Sequence, residues 1–163
     1  MIYCLEINFI TNINLVNLIK VFWKKSKLLI LYSTVDGHTK NICEYINKRL
    51  NNKKDISISS LEDSEKFNLK QFNEIVIGAS VRYGYHRKNV YEFIRNNKSI
   101  LENKKTVFFS LNLTARKPEK NTADTNPYVY KFLKKIKWEP TIKDVFAGRL
   151  DYPNLDTLNK LAI

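Results

Sequence analysis

Between Lys27 and Gly148, short apolar runs alternate with segments whose apolar residues recur at helical spacing, and few architectures accept that pattern. Lys27-Leu-Leu-Ile-Leu-Tyr-Ser33 is continuously apolar at its centre, as in a strand buried on both faces. Residues 39–50 then place Ile42, Cys43, Ile46 and Leu50 on one helical face, with Lys40, Asn47 and Lys48 outside. Ile56 and Ile58 alternate with Ser57 and Ser59, which predicts an edge strand. Glu74–Ser80, Lys105–Leu111 and Asp144–Gly148 read as further strands. Val90, Phe93, Ile94 and Leu101 mark one intervening helix and Tyr128 to Ile136 another. The expectation is an α/β fold, a parallel sheet with helices on both faces.

A chain of 163 residues suits one such domain. Two cysteines, Cys4 and Cys43, argue against a disulfide scaffold or a Cys-based zinc site, and no metal is expected. The net charge is +12. An excess of this kind suits nucleic acid, an anionic membrane or an acidic substrate, and AT-rich codon drift toward Lys is the bland alternative. Its distribution narrows the choice, because residues 82–138 carry 14 basic residues against 4 acidic ones. No nucleic-acid reader motif accompanies them, so no nucleic-acid partner is expected.

Both ends depart from the pattern. Residues 1–26 form an apolar N-terminal segment, interrupted by Glu6, Asn8, Thr11, Asn12, Asn14, Asn17 and Lys20, which argues against a simple membrane span. Lys24, Lys25 and Lys27 follow its apolar part instead of preceding it, unlike a signal peptide. Residues 154–163 are expected to be a truncated tail, with no room for a long final helix.

Three turns at strand ends carry the candidate site. The first, Ser33-Thr34-Val35-Asp36-Gly37-His38-Thr39, joins a buried strand to a helix and offers hydroxyls, a glycine and free N–H groups to an anion. It is neither a dinucleotide fingerprint nor a P-loop, and it fits a monophosphate or, equally, an ordinary capped helix start. Gly78-Ala79-Ser80-Val81-Arg82-Tyr83-Gly84 follows the third strand, and Ser110-Leu111-Asn112-Leu113 opens the long loop after the fourth. In a doubly wound sheet these loops meet at one crevice.

The motifs Ser-Thr-x-Asp-Gly-x-Thr at 33–39, Ile-Gly-Ala-Ser-x-Arg-Tyr-Gly at 77–84 and Asn-Leu-x-Ala-Arg-Lys-Pro-Glu-Lys at 112–120 resemble the bacterial quinone-dependent protoporphyrinogen oxidases. The likeness continues through Thr125-Asn126, Lys131-Phe132-Leu133, Trp138 and Ala147-Gly148 to Tyr152-Pro153, and so covers residues 27–153. It implies a flavodoxin-like, doubly wound sheet of five parallel strands, order 2-1-3-4-5, holding FMN over 27–153. It implies six-electron oxidation of protoporphyrinogen IX to protoporphyrin IX in haem biosynthesis, with menaquinone or ubiquinone as acceptor. The enzyme would sit peripherally on the cytoplasmic face of the inner membrane. By matching position, Ser33, Thr34, Val35, Asp36, Gly37, His38 and Thr39 would bind the FMN phosphate. Ala79, Ser80, Val81, Arg82, Tyr83 and Gly84, with Ser110, Leu111, Asn112 and Leu113, would border the ring. The chain departs from that family at His38, where Gln is common, in its extra residues 1–26, and after Tyr152-Pro153, where a basic apolar stretch and a last helix are expected. One expectation is that residues 5–23 fill the place of that helix; a membrane-associated segment and a later true start are the others.

The expected substrate carries two propionates, and Arg82, Arg87, Lys88, Arg116, Lys117 and Lys120 lie on or beside the ring-side loops. The catalytic candidates are His86, as a proton acceptor, and Arg82 and Arg116, which would bind a propionate or the quinone headgroup. Lys131, Lys134, Lys135 and Lys137 form a basic helix face suited to anionic lipid or plain solvent. The rival readings are a flavodoxin-like electron carrier, another quinone reductase, or an inactive truncated relative.

Overall fold

The computed structural model describes residues 26–50 and 55–148. The expectations for residues 5–23, for Tyr152-Pro153 and for a shortened C-terminal tail therefore lie outside the described residues.

Strand β1 (Lys27–Ser33) leads through a turn into helix α1 (His38–Leu50), and β2 (Asp55–Ser60) follows. Two 3-10 segments, Leu61–Lys66 and Leu69–Gln71, make the crossover to β3 (Glu74–Arg82). A two-residue strand β4 (Tyr85–His86) folds back on β3 before α2 (Lys88–Leu101) and β5 (Lys105–Asn112). The 3-10 turns Leu113–Arg116 and Pro118–Lys120 then lead to α3 (Pro127–Ile136) and β6 (Ile142–Ala147).

The sheet order is β2-β1-β3-β5-β6, with every neighbouring pair parallel, and β4 pairs with β3 off that path. This is the expected five-strand order with one short antiparallel strand added. Winding reverses between β1 and β3, the position where open α/β sheets open a ligand crevice.

Alternate residues of the central strands serve two cores. Leu29, Leu31, Ile75, Ile77 and Phe108 pack under α2 and α3 through Val90, Phe93, Ile94, Val129 and Phe132. Leu28, Ile30, Val76, Val107 and Phe109 pack under α1 through Ile42, Cys43, Ile46 and Leu50. Cys43 belongs to that core, as its helical spacing predicts, and burial pushes its thiol pKa up. Gly78 makes room for the Phe109 ring, because a Cβ there would lie 2.3 Å from Cζ.

The register places the site. Ser33 pairs with Ala79 and Ala79 with Ser110, so a row of small residues crosses three neighbouring strands where β1 ends and β3 and β5 near their ends. The three candidate loops leave from that row. Asn126 caps α3 by accepting from the Tyr128 and Val129 N–H groups at 3.2 and 3.4 Å, with Pro127 beside it in the first turn. Among the described residues no helix is long and apolar enough to cross a membrane.

Candidate functional site

The first loop is an anion cradle by local geometry. Gly37 has φ +80°, a left-handed conformation that glycine takes without strain, and it turns the chain into α1. Asn41 N–H donates to the Gly37 carbonyl at 3.0 Å, while the earlier first-turn N–H groups have no intrahelical acceptor. No acidic residue lies in that first turn, and Asp36, just before it, is paired with Arg82.

Two hydroxyls test whether a ligand fits here. Thr39 is fully buried and its Oγ1 lacks a hydrogen-bond partner, and Ser80 Oγ is likewise buried and unpartnered. Buried hydroxyls normally find partners. An orphaned hydroxyl in the phosphate loop and another at the end of β3 suit a polar, phosphate-bearing group lying across both.

The connection from β3 to α2 braces the cradle. Arg82 Nη1 donates to both Asp36 carboxylate oxygens, at 2.7 and 3.0 Å. Arg87 Nη1 donates to the Thr34 carbonyl at 3.2 Å and to Glu62 Oε1 at 2.6 Å. Asn89 Nδ2 donates to the same Glu62 oxygen at 2.9 Å, and Ser33 Oγ donates to Asn89 Oδ1 at 3.1 Å. Ser60 Oγ also bonds the Glu62 carboxylate. Burial alone would raise the Glu62 pKa, but hydrogen bonds from Ser60 and the backbone, with the charge and hydrogen bond of Arg87, hold it below the usual carboxylate value. Glu62 and Asn89 escape sequence reasoning, because neither lies in a recognisable motif.

The second loop turns through Tyr83 (φ +51°) and Gly84 (φ +82°) between paired Arg82 and Tyr85. Two consecutive left-handed residues make a type I′ hairpin. Glycine favours that conformation and tyrosine does not, so Tyr83 is held there at a cost of roughly 1–2 kcal/mol. Tyr83 and Tyr85 are 65% and 70% exposed, and Val35 and Leu113 on the other two loops are exposed apolar residues as well.

His86 differs from its expected place on a loop. As part of β4 it points inward, 4% exposed, with ring centroids of Phe132 and Phe108 at 4.5 and 5.6 Å. Its Nε2 lies 3.0 Å from Ser110 Oγ, and burial lowers its pKa to about 3. An imidazole this reluctant to protonate, walled off by phenyl rings, is ill placed to collect protons at neutral pH.

In the third loop, Ser110 and Asn112 turn their side chains into the protein. Asn112 Nδ2 donates to Ser110 Oγ at 3.2 Å, and Asn112 and Asn126 exchange amide hydrogen bonds at 3.3 and 3.2 Å. Asn112 Oδ1 also accepts from the Ala115 N–H at 3.0 Å. These bonds turn the polar side chains inward, Leu111 packs in the core under α1, and Leu113 is the exposed apolar side chain of this loop. Arg116 Nε donates to the Gly148 carbonyl at 2.9 Å, which anchors its exposed guanidinium beside the end of β6. Lys117 is exposed and Lys120 half-buried, while Lys88 pairs with Glu92 on the outside of α2. A cavity of about 500 Å³ lies away from these loops, between the C-terminal ends of α2 and α3, against Leu133 and Trp138.

Comparison with known proteins agrees with this geometry. A protoporphyrinogen IX dehydrogenase (quinone) of Leishmania major is 38% identical over 139 residues, 84% of this chain and 60% of that protein. The protein of the same name in Escherichia coli K12 is 39% identical over 131 residues, 78% of this chain and 71% of that one. The chain thus spans about three fifths of the first relative's length. Oxidised flavodoxin 1 of Bacillus cereus superposes with a TM-score of 0.51 at 18% identity, over 76% of this chain and 87% of that one, a likeness of fold. Residues 29–163 match the Flavodoxin domain family, to which this chain, with its winding reversed between β1 and β3, belongs.

Proposed function

We propose that this chain binds FMN and oxidises protoporphyrinogen IX to protoporphyrin IX in haem biosynthesis, with menaquinone or ubiquinone as electron acceptor. The observation that carries this reading is the 38% and 39% identity to two proteins named for that reaction. The unpartnered hydroxyls of Thr39 and Ser80 support the cofactor.

The first-turn N–H groups of α1 and the Thr39 hydroxyl hold the phosphate. Segments 79–84 and 110–113 border the ring, with small Ala79 and Ser110 leaving space along the sheet's end. FMN, when bound, supplies the acceptor for hydride equivalents from carbon. The chain's own task is position and electrostatics. Arg116, Lys117 and Lys120 meet the propionates, and Tyr83, Tyr85, Val35 and Leu113 offer apolar contact to a flat macrocycle or a quinone ring. Those side chains, with the lysines of α3, face anionic lipid at the cytoplasmic side of the membrane.

Purified protein is expected to show a flavin absorbance spectrum and to generate porphyrin fluorescence when menaquinone is supplied. Flavin without porphyrin formation would instead indicate an electron carrier. Arg116→Ala is expected to raise the substrate KM roughly tenfold with kcat little changed, as for loss of one charge-assisted contact made equally in ground and transition states. An unaltered KM would remove Arg116 from the propionate site.

A further inference from the structure

The sequence places Arg82 and Arg87 among cations available to substrate, but in the folded chain both are engaged with the phosphate loop. Their partners are ordered. Asn89, Arg87 and Arg82 hold Ser33, Thr34 and Asp36 respectively, across sequence separations of 56, 53 and 46 residues. One short connection, residues 82–89, thus holds the last residue of β1 and two of the three residues between it and Gly37. Glu62, from a third element, fixes the connection from behind by accepting from both Arg87 and Asn89.

We propose that the β3–α2 connection is a splint for the phosphate loop, with Arg82, Arg87 and Asn89 as positioning residues and Glu62 as their anchor. What it supplies is flavin affinity, by holding Ser33–Asp36 in the binding conformation before the ligand arrives. This rests on the FMN reading above.

Exposed ion pairs add little to global stability, and Asp36 and Arg87 are half-exposed. Pairs that served only the fold would therefore leave almost no trace when removed. A splint leaves a specific one, because a loop freed to sample other conformations binds more weakly in proportion to its competent fraction.

Asp36 provides the sharpest discrimination. The residue carries a negative charge beside a site for a phosphate dianion, so direct electrostatics alone predicts that Asp36→Asn tightens binding. Loss of the charge-assisted Arg82 contact, in which Nη1 is shared by both carboxylate oxygens, predicts the reverse.

The test measures FMN dissociation constants of the full chain by quenching of flavin fluorescence, with circular dichroism melts alongside. Asp36→Asn and Glu62→Ala are each expected to weaken FMN binding roughly five- to tenfold with the melting temperature nearly unchanged. The pair Arg82→Ala and Glu62→Ala together should cost less than the product of the two, since both release one unit. Glu62→Gln, which keeps an acceptor for Asn89, should fall between wild type and Glu62→Ala. Tighter binding by Asp36→Asn, or unchanged affinity in folded Glu62→Ala, would overturn the splint while leaving the cofactor assignment standing. Failure of the wild-type chain to bind FMN would overturn both. Should Glu62→Ala not fold, Asp36→Asn and Glu62→Gln decide alone.

Discussion

Replacing Thr39 by valine is expected to move two measurements in opposite directions: the flavin-free protein becomes more stable and FMN binds less tightly. Thr39 is fully buried and its hydroxyl makes no hydrogen bond, so the fold bears the desolvation of a polar atom without compensation. Valine has nearly the same shape and removes that atom. A gain of about 1 kcal/mol in unfolding free energy follows, readable by urea titration of the flavin-free chain. A phosphate that reaches this oxygen supplies the partner it lacks, and hydrogen bonds to charged groups are worth about 1.5–3 kcal/mol, so the FMN dissociation constant should rise roughly 10- to 100-fold. Loss of stability together with loss of affinity would show that Thr39 serves the helix instead.

Acid should unfold this protein through His86. The folded imidazole has a pKa of about 3, against an ordinary value of 6.5, and burial is the cause. Between those two values the unfolded chain binds a proton that the folded chain refuses. Stability therefore rises with pH across that window, is complete above about pH 6.5, and is lost as pH falls toward 3. The full loss is on the order of 4–5 kcal/mol, a large share of a typical domain's 5–15 kcal/mol. The ring meets Phe108, Phe132 and Ser110, and a phenyl in its place has the same apolar surroundings. His86→Phe should cost about 1 kcal/mol at pH 7, leaving Ser110 its bond from Asn112, and should flatten the decline between pH 6.5 and 4. Denaturant titrations across that range check this; parallel slopes for both proteins would assign acid lability to other groups.

Much of this fold is legible in the sequence where one rule dominates. The buried parallel strands at 27–33, 74–82 and 105–112 are continuous apolar runs, and the helices show one-sided spacing, so each is visible without its neighbours. Strand β4 is not visible, because two residues have no periodicity; the only local hint is Gly84 in the turn before it. The inward direction of His86 follows from that hidden strand. The crossover over 61–73 has few apolar residues at helical spacing, and it forms 3-10 turns where a longer helix is common. At the site, the turn over 33–39 is legible as a strand-to-helix connection with hydroxyls and a glycine. The commitments of Arg82 and Arg87 are not, since a basic residue on a loop looks the same whether its partner is a substrate or a carboxylate 46 positions upstream.

The strand order has a consequence for how the protein comes to be made. β1 is synthesised first, yet its register is set by β2 on one side and by β3 on the other. The loop it carries gains its last tether only with Asn89 and its neighbouring ring-side wall only with β5. Parallel pairings of this kind close long stretches of chain and form slowly. Flavin can be captured only once they have closed, so ligand binding draws on the completed fold and on nothing earlier. By mass action, free FMN at a hundred times its dissociation constant adds about 2.7 kcal/mol to the folded state. Cells starved of flavin would then hold less of this protein, because the finished but empty fold opens more often to degradation.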